Sequence, residues 1–417
     1  MRFLPSIGWT AYLLCLAIGS LGIADQSWKS VTQHRSTYAL EQTFEAGPAI
    51  ASDVVIVLLD GLRTDAVAGL AAYQGLARRG ASGTMRVAVP SLSNPGRAAL
   101  LTGAWPEVSG VTNNSTFDPV PVQSLFGLAR QRGLGAEVYG TRFWPRAFGG
   151  LVQHAGPSRR YASDAVEELV RWQSDCCEEA LQRLKRSDAT IRVVDLWASD
   201  EAGHVYGGAS AAYREVLAAV DRCLGRIAQQ EGPEVTLAAL SDHGHIDRRG
   251  RGGHGGLEPE VMNAPFVLAG PGVRLAHQIE AEMVDIAPTI STLLGLPIPA
   301  NSQGRVLWEA LDVPTEHAAR LRQLEEEQRA ALAAHMPDRA AALKAQQAER
   351  MPWSILSGLC LLAATLGVVH WQRRHWKSLC AAAAVFLLAY FALFYAFGLG
   401  YSLSAIVQQE YLYSCMA

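Results

Sequence analysis

The chain has no surplus of charge of either sign. Its 417 residues hold 36 lysines and arginines against 39 aspartates and glutamates, a formal net charge of −3. That balance gives no basic footprint for nucleic acid. Cysteine is scarce, at seven residues, and no Cys-x-x-Cys pair is present. Thiolate metal and dithiol redox motifs therefore have no signal. Cys15, Cys360 and Cys380 lie in apolar stretches. Cys176 and Cys177 are adjacent in a predicted helix and Cys223 is in another. In an oxidising compartment one of the pair can bridge to Cys223; free buried thiols are the other reading. Internal repeats are also missing, which leaves repeat architectures without support.

What is present is length enough for one large α/β domain with a buried core. Strand-like apolar runs are predicted at Val54–Leu59, Gly83–Val89, Ala136–Tyr139, Ile191–Trp197, Val235–Leu240 and Pro265–Leu268. Helix-like runs alternate with them at Thr64–Arg79, Val122–Arg132, Ser163–Lys185, Ala209–Gln230 and Asp285–Leu294. Such alternation predicts a mainly parallel sheet covered on both faces.

The ends of the chain read differently. Residues 1–24, apolar after Arg2, form a membrane anchor or a signal peptide. Residues 25–51 are a linker, 52–314 the main α/β domain and 315–350 a helical connector rich in Ala, Leu, Glu, Gln and Arg. Residues 353–400 hold two apolar runs, each near the ~20 residues that cross a bilayer. The basic turn Trp371–Lys377 between them predicts a cytoplasmic loop with interfacial tryptophans, followed by a tail at 401–417. The domain at 52–314 is then expected outside the cytoplasm.

The chemistry is carried by residues far apart in sequence. Asp60 ends VVIVLLD and is followed by Gly61, so its side chain is expected in the crevice at a strand's carboxyl end. Asp242 repeats the arrangement in VTLAALSDHGH, and His243 follows it. Asp200 and His204 come after a third apolar run, four residues apart and so on one face if helical. His254 stands in GGHGG, where the backbone can approach an ion closely. Carboxylates and imidazoles are the donors that zinc and similar cations take. Two such ions clamp the attacking and leaving oxygens of a phosphoryl transfer. Ser93, before the predicted helix RAALLTG, is the candidate nucleophile, since a cation activates a serine hydroxyl. Its helix N-terminus favours an anion, and Arg97 in the first turn is placed to hold a phosphoryl oxygen.

These segments resemble the alkaline phosphatase superfamily, on its phosphodiesterase, sulfatase and phosphopentomutase-like side, from about Asp53 to about Leu311. The likeness is closest to type I phosphodiesterase/nucleotide pyrophosphatases and to the luminal domain of GPI ethanolamine phosphate transferases. SLSNPGRAALLTG is similar to the transferases' Ser-x-Pro-Gly pattern, and SDHGH, GGHGG and VDIAPTISTLLGLPIPANSQGRVL extend it. The resemblance implies a three-layer alkaline-phosphatase-like fold, with transmembrane helices added. It implies one ion on Asp60, Ser93, Asp242 and His243, and a second on Asp200, His204 and His254. Both ions would be zinc, with manganese the other choice. Asn113 and Asn114 fall where such enzymes place substrate-pocket residues.

The chain departs from the nucleotide pyrophosphatases, which carry Thr-Phe-Pro-Asn-His where this chain has Ser93 to Arg97. That argues against nucleotide substrates. The same five residues resemble the sulfatase signature, in which Cys or Ser becomes formylglycine; three histidines favour two zinc ions over a sulfatase's single calcium. The expected function is a membrane-anchored two-metal phosphodiesterase or phosphoethanolamine-type phosphotransferase. It would act on a phosphodiester, lipid-linked in one version, through a phosphoseryl intermediate. A formylglycine sulfatase and an inactive scaffold are the alternatives.

Overall fold

The structure, a computed structural model, describes residues 45–114, 119–248 and 251–333, and the isolated helical positions 341, 344, 356, 359, 384, 385 and 388. The chain divides into two compact units: Met1–Arg35 with Pro337–Gly400, and Ser36–Met336 with Tyr401–Ala417. The expected N-terminal anchor, the basic loop and the tail lie outside the described residues, as do both spans but for isolated positions. Among the described residues no helix is long and apolar enough to cross a membrane.

The second unit is built on one sheet. Its strands are β1 (Val54–Leu59), β2 (Ala81–Arg86), β3 (Ala136–Tyr139), β4 (Gln153–Ala155), β5 (Ile191–Leu196), β6 (Thr236–Leu240), β7 (Asn263–Ala269) and β8 (Ala276–Glu282). Their order is β4-β3-β5-β1-β6-β7-β2-β8. Every neighbouring pair is parallel except those made by β7, which runs against both β6 and β2. The sheet is therefore mixed but mostly parallel.

The central strand explains the layering. All six residues of β1 are buried, as a continuous apolar run between parallel neighbours requires. Val54, Ile56 and Leu58 face one core, while Val55, Val57 and Leu59 face another. Helices cover both faces: α1 (Ala71–Ala77), α2 (Ser93–Thr102), α3 (Leu125–Gln131), α4 (Phe143–Phe148), α5 (Val166–Leu184), α6 (Ala198–Tyr206), α7 (Ala211–Glu231) and α8 (Ile286–Leu294). Residues of α2, α3, α4 and α8 fill the first core; those of α1, α5, α6 and α7 fill the second.

Several expectations change. The helix predicted at Thr64–Arg79 is a 3-10 turn, Thr64–Gly69, and then α1, separated by an extended Leu70. The strand predicted at Gly83–Val89 is Ala81–Arg86. β4 and β8 were not predicted, because both are sheet-edge strands without an apolar run. The connector begins with α9 (Thr315–Ala333), whose Leu321, Glu325, Gln328 and Leu332 are buried. The Glu325 carboxylate accepts from the Val306 amide at 2.8 Å and from Trp308 Nε1 at 2.6 Å, so α9 packs on the domain.

Cys177 of α5 is disulfide-bonded to Cys223 of α7, across a sequence separation of 46. Cys176 is free and buried, and burial pushes its thiol up to about 12, so it is inert near neutrality. Closing a loop of that length restricts the unfolded chain by about 4 kcal/mol on a chain-entropy model. Cys177→Ser/Cys223→Ser is therefore expected to lower unfolding stability by up to about 4 kcal/mol in urea titrations. An unchanged midpoint, with wild type equally insensitive to reductant, would show that the bridge does not form.

Candidate metal centre

Three neighbouring parallel strands, β5, β1 and β6, carry the three key aspartates. Asp60 follows β1 directly, Asp242 follows β6 after Ser241, and Asp200 sits in the first turn of α6 just beyond β5. All lie at the carboxyl edge, where parallel α/β sheets open a crevice. Gly61 turns the chain away at φ 72, in the left-handed region. A Cβ there would come within 2.8 Å of His245 Nε2, and one on Gly203 within 2.5 Å of the His245 ring. Both positions therefore need glycine for the aspartates and imidazoles to close up.

Ser93 is the first residue of α2 and is buried. Its Oγ lies 3.1 Å from His243 Nε2. That same nitrogen is 3.4 Å from Asp60 Oδ1 and 3.7 Å from Asp242 Oδ2. Both carboxylate oxygens are buried with no hydrogen-bond partner. Four donor atoms thus converge, and two of them carry lone pairs that nothing in the protein satisfies. Buried acceptors in that state are costly unless a cation takes them.

A second group adjoins the first. His204 Nε2 and His254 Nε2 are 3.1 Å apart, and each is 3.5 Å from an Asp200 oxygen. The His243 and His254 rings stack at 3.7 Å between centroids. His254 Nδ1 lies 2.9 Å from the Ser91 carbonyl, which fixes the ring and leaves Nε2 facing its neighbours. The structure thus brings Asp60, Ser93, Asp200, His204, Asp242, His243 and His254 into one place, where the donor groups close enough to share an ion are Asp60/Asp242/His243, Asp200/His243/His254 and Asp200/His204/His245. The mixed imidazole and carboxylate chemistry fits zinc or a similar ion.

The electrostatics agree. Burial, and then the neighbouring Asp242, hold the Asp60 carboxyl well above its usual range despite Arg97. Asp200 goes the other way: burial pushes it up, but His204, the hydrogen bond from His245 and His254 outweigh that and leave it well below. Burial, then His243, keeps His254 unprotonated, the state in which imidazole binds a cation.

Arg97 is buried in the first turn of α2 and pairs with Asp60 and with Asp195, the latter at 3.1 Å. It also lines the cleft above Ser93, as does Asn114. Asn114 Oδ1 accepts from the Asn94 amide at 2.9 Å, and the Gly96 amide donates to Leu92. With Pro95 lacking an N–H, the start of α2 offers fewer free amides than its sequence suggested. Asn113 is buried and donates to Thr112 Oγ1 at 3.3 Å.

Two residues escaped the sequence reading. Asp195, wholly buried in β5, accepts from Arg97 and from Trp144 Nε1 at 2.8 Å. An aspartate inside an apolar strand was its signal. His245, the second imidazole of SDHGH, lies 2.8 Å from Asp200 Oδ1 through Nε2. It falls outside the ligand set that the resemblance supplied.

The type I phosphodiesterase/nucleotide pyrophosphatase family model matches residues 54–254, from β1 to the last of these imidazoles. The matched segment holds all seven residues of the two donor sets. The catalytic subunit of GPI ethanolamine phosphate transferase 2 from Homo sapiens is 28% identical over 286 residues, covering 64% of this chain and 28% of the relative. The Aspergillus fumigatus GPI ethanolamine phosphate transferase 2 is 26% identical over 332 residues, covering 72% of this chain and 42% of the relative. The chain therefore spans less than half the length of these curated relatives. The solved structure of alkaline phosphatase PafA superposes with a TM-score of 0.51 at 10% identity, over 63% of this chain and 100% of that one, which shows the fold. The two curated relatives are named as ethanolamine phosphate transferases.

Burial holds His245 down at about 4. The folded ring stays neutral to about pH 4 while the unfolded ring takes a proton near 6.5. Its contribution to stability is thus complete above pH 6.5 and lost progressively as pH falls toward 4. In chelator, His245→Gln is expected to narrow the stability difference between pH 7 and pH 5 by about 2 kcal/mol relative to wild type. An unchanged difference in urea titrations at the two pH values would refute it.

Proposed function

We propose that the protein is a membrane-anchored two-metal phosphodiesterase or phosphoethanolamine-type phosphotransferase, acting outside the cytoplasm with Ser93 as nucleophile. The observation that carries this reading is the convergence of Ser93 Oγ, Asp60 Oδ1, Asp242 Oδ2 and His243 Nε2 beside the second donor set. When bound, two divalent cations would acidify the serine hydroxyl and offset the charge of the phosphoryl oxygens. Asp60, Ser93, Asp242 and His243 would hold one; Asp200, His204 and His254 the other.

The chain's own residues do the rest. The start of α2 holds Ser93 Oγ at the floor of the cleft. Arg97 fixes Asp60 and offsets its charge. Ser93 loses its proton, Oγ bonds to phosphorus, and the substrate's alcohol leaves and takes up a proton. Water or an acceptor hydroxyl then attacks phosphorus, and Oγ leaves and regains its proton. Four imidazoles around the two sets support zinc over an oxygen-only calcium site, and so weigh against the sulfatase reading. The Cys177–Cys223 bridge suits an oxidising compartment. The apolar runs at 353–400, with their basic loop, support the anchor. The curated relatives' names support a lipid-linked phosphodiester as substrate.

The full-length chain in detergent, supplied with zinc or manganese, is expected to cleave bis(p-nitrophenyl) phosphate. Ser93→Ala should lower that rate at least about 10³-fold. Diester cleavage that survives in Ser93→Ala would remove the nucleophile assignment. Cleavage of p-nitrophenyl sulfate alone, with a Ser93 peptide lighter by two hydrogens, would establish the sulfatase instead.

A further inference from the structure

The cleft over Ser93 has a volume of about 1130 Å³. Its lining contains five arginines and a single carboxylate, Glu201. That bias is local, since the whole chain carries a net charge of −3. Two of the arginines are spent: Arg97 on Asp60 and Asp195, and Arg159 on Glu168 and Asp175. Glu201 accepts from Tyr161 at 2.7 Å. Arg142 and Arg160 are exposed and have no carboxylate partner among the described residues.

The topology says where they stand. Arg142 lies just beyond the carboxyl end of β3, at the start of α4. Arg160 follows the carboxyl end of β4. Both strands run parallel to β5 and β1, in the order β4-β3-β5-β1-β6. One sheet edge therefore bears the metal-ligand aspartates over β5, β1 and β6, and the unpaired cations over β3 and β4. Neighbouring strands are about 4.8 Å apart; β3 stands two strands from β1 and β4 three, so the arginine end of the cleft is roughly 10–14 Å from the nucleophile end.

We propose that Arg142 and Arg160 form a distal subsite for a second phosphate group on the substrate, roughly 10–14 Å from the phosphorus that Ser93 attacks. The planar guanidinium fork suits phosphate, and a cleft with excess positive charge concentrates the field on it. The inference rests on the phosphoryl-transfer reading and deepens it: the substrate is a phosphodiester carrying a further phosphate. A diester with one charge would leave this end of the cleft without a partner.

The test is calorimetric binding to the full-length, zinc-loaded Ser93→Ala chain, which cannot turn over. Hexyl phosphate and 1,6-hexanediol bisphosphate differ by a single phosphate at roughly the required span. The bisphosphate is expected to bind at least about tenfold tighter. In Arg142→Gln/Arg160→Gln that advantage should shrink to about twofold or less, with the hexyl phosphate Kd nearly unmoved. The pair Arg132→Gln/Arg186→Gln removes the same charge outside the cleft lining and should leave the advantage intact. Equal binding of the two probes, or an advantage that survives loss of Arg142 and Arg160, overturns the subsite while leaving the phosphoryl site standing. Binding of neither probe overturns both.

Discussion

The site is organised around one buried cation, Arg97, surrounded by more carboxylates than it can neutralise. Its guanidinium pairs with Asp60 and Asp195, and Asp242 stands beside Asp60. Burial favours the neutral form of a carboxyl and the mutual repulsion of Asp60 and Asp242 adds to that. One guanidinium against three carboxylates leaves negative charge that a proton or a further cation must offset. The unpartnered Asp60 Oδ1 and Asp242 Oδ2 mark where such a cation would bind. An isolated buried ion pair is weak evidence for stability, but an unbalanced cluster is evidence for something that binds.

The fold exists around this constraint. A run of three parallel strands, buried on both faces, supplies a stiff edge from which Asp60, Asp200 and Asp242 emerge. Glycine at 61 and 203 lets His245 press against that edge. The helix α2 then delivers Ser93 and Arg97 four residues apart, the serine toward the donor atoms and the arginine toward the carboxylates. Substituting bulk at any of these points would separate donors that must meet within a few ångströms.

Much of this was legible in the sequence, for a physical reason. β1 and β6 are apolar runs and β5 is one interrupted by Arg192 and Asp195, and an aspartate at or just beyond the end of such a run has few other places to go. α5 and α7 are long and amphipathic, and their extent was read to within three residues at each end. The edge strands β4 and β8 were invisible because half-exposed polar segments carry no periodic signal. Asp195 and His245 were missed because their roles depend on residues brought in from elsewhere: Arg97 for one and Asp200 for the other. Which of Cys176 and Cys177 bridges to Cys223 also depended on the helix face each occupies.

The most direct test of the account is a count of bound metal. The full-length chain, loaded with zinc and then dialysed into metal-free buffer, would be analysed for zinc per chain by mass spectrometry of the element. The account predicts two ions for the wild type and about one each for Asp60→Ala/Asp242→Ala and His204→Ala/His254→Ala, whose losses fall on different donor sets. A wild type that retains no zinc or manganese, or pair variants that both keep two ions, would contradict it.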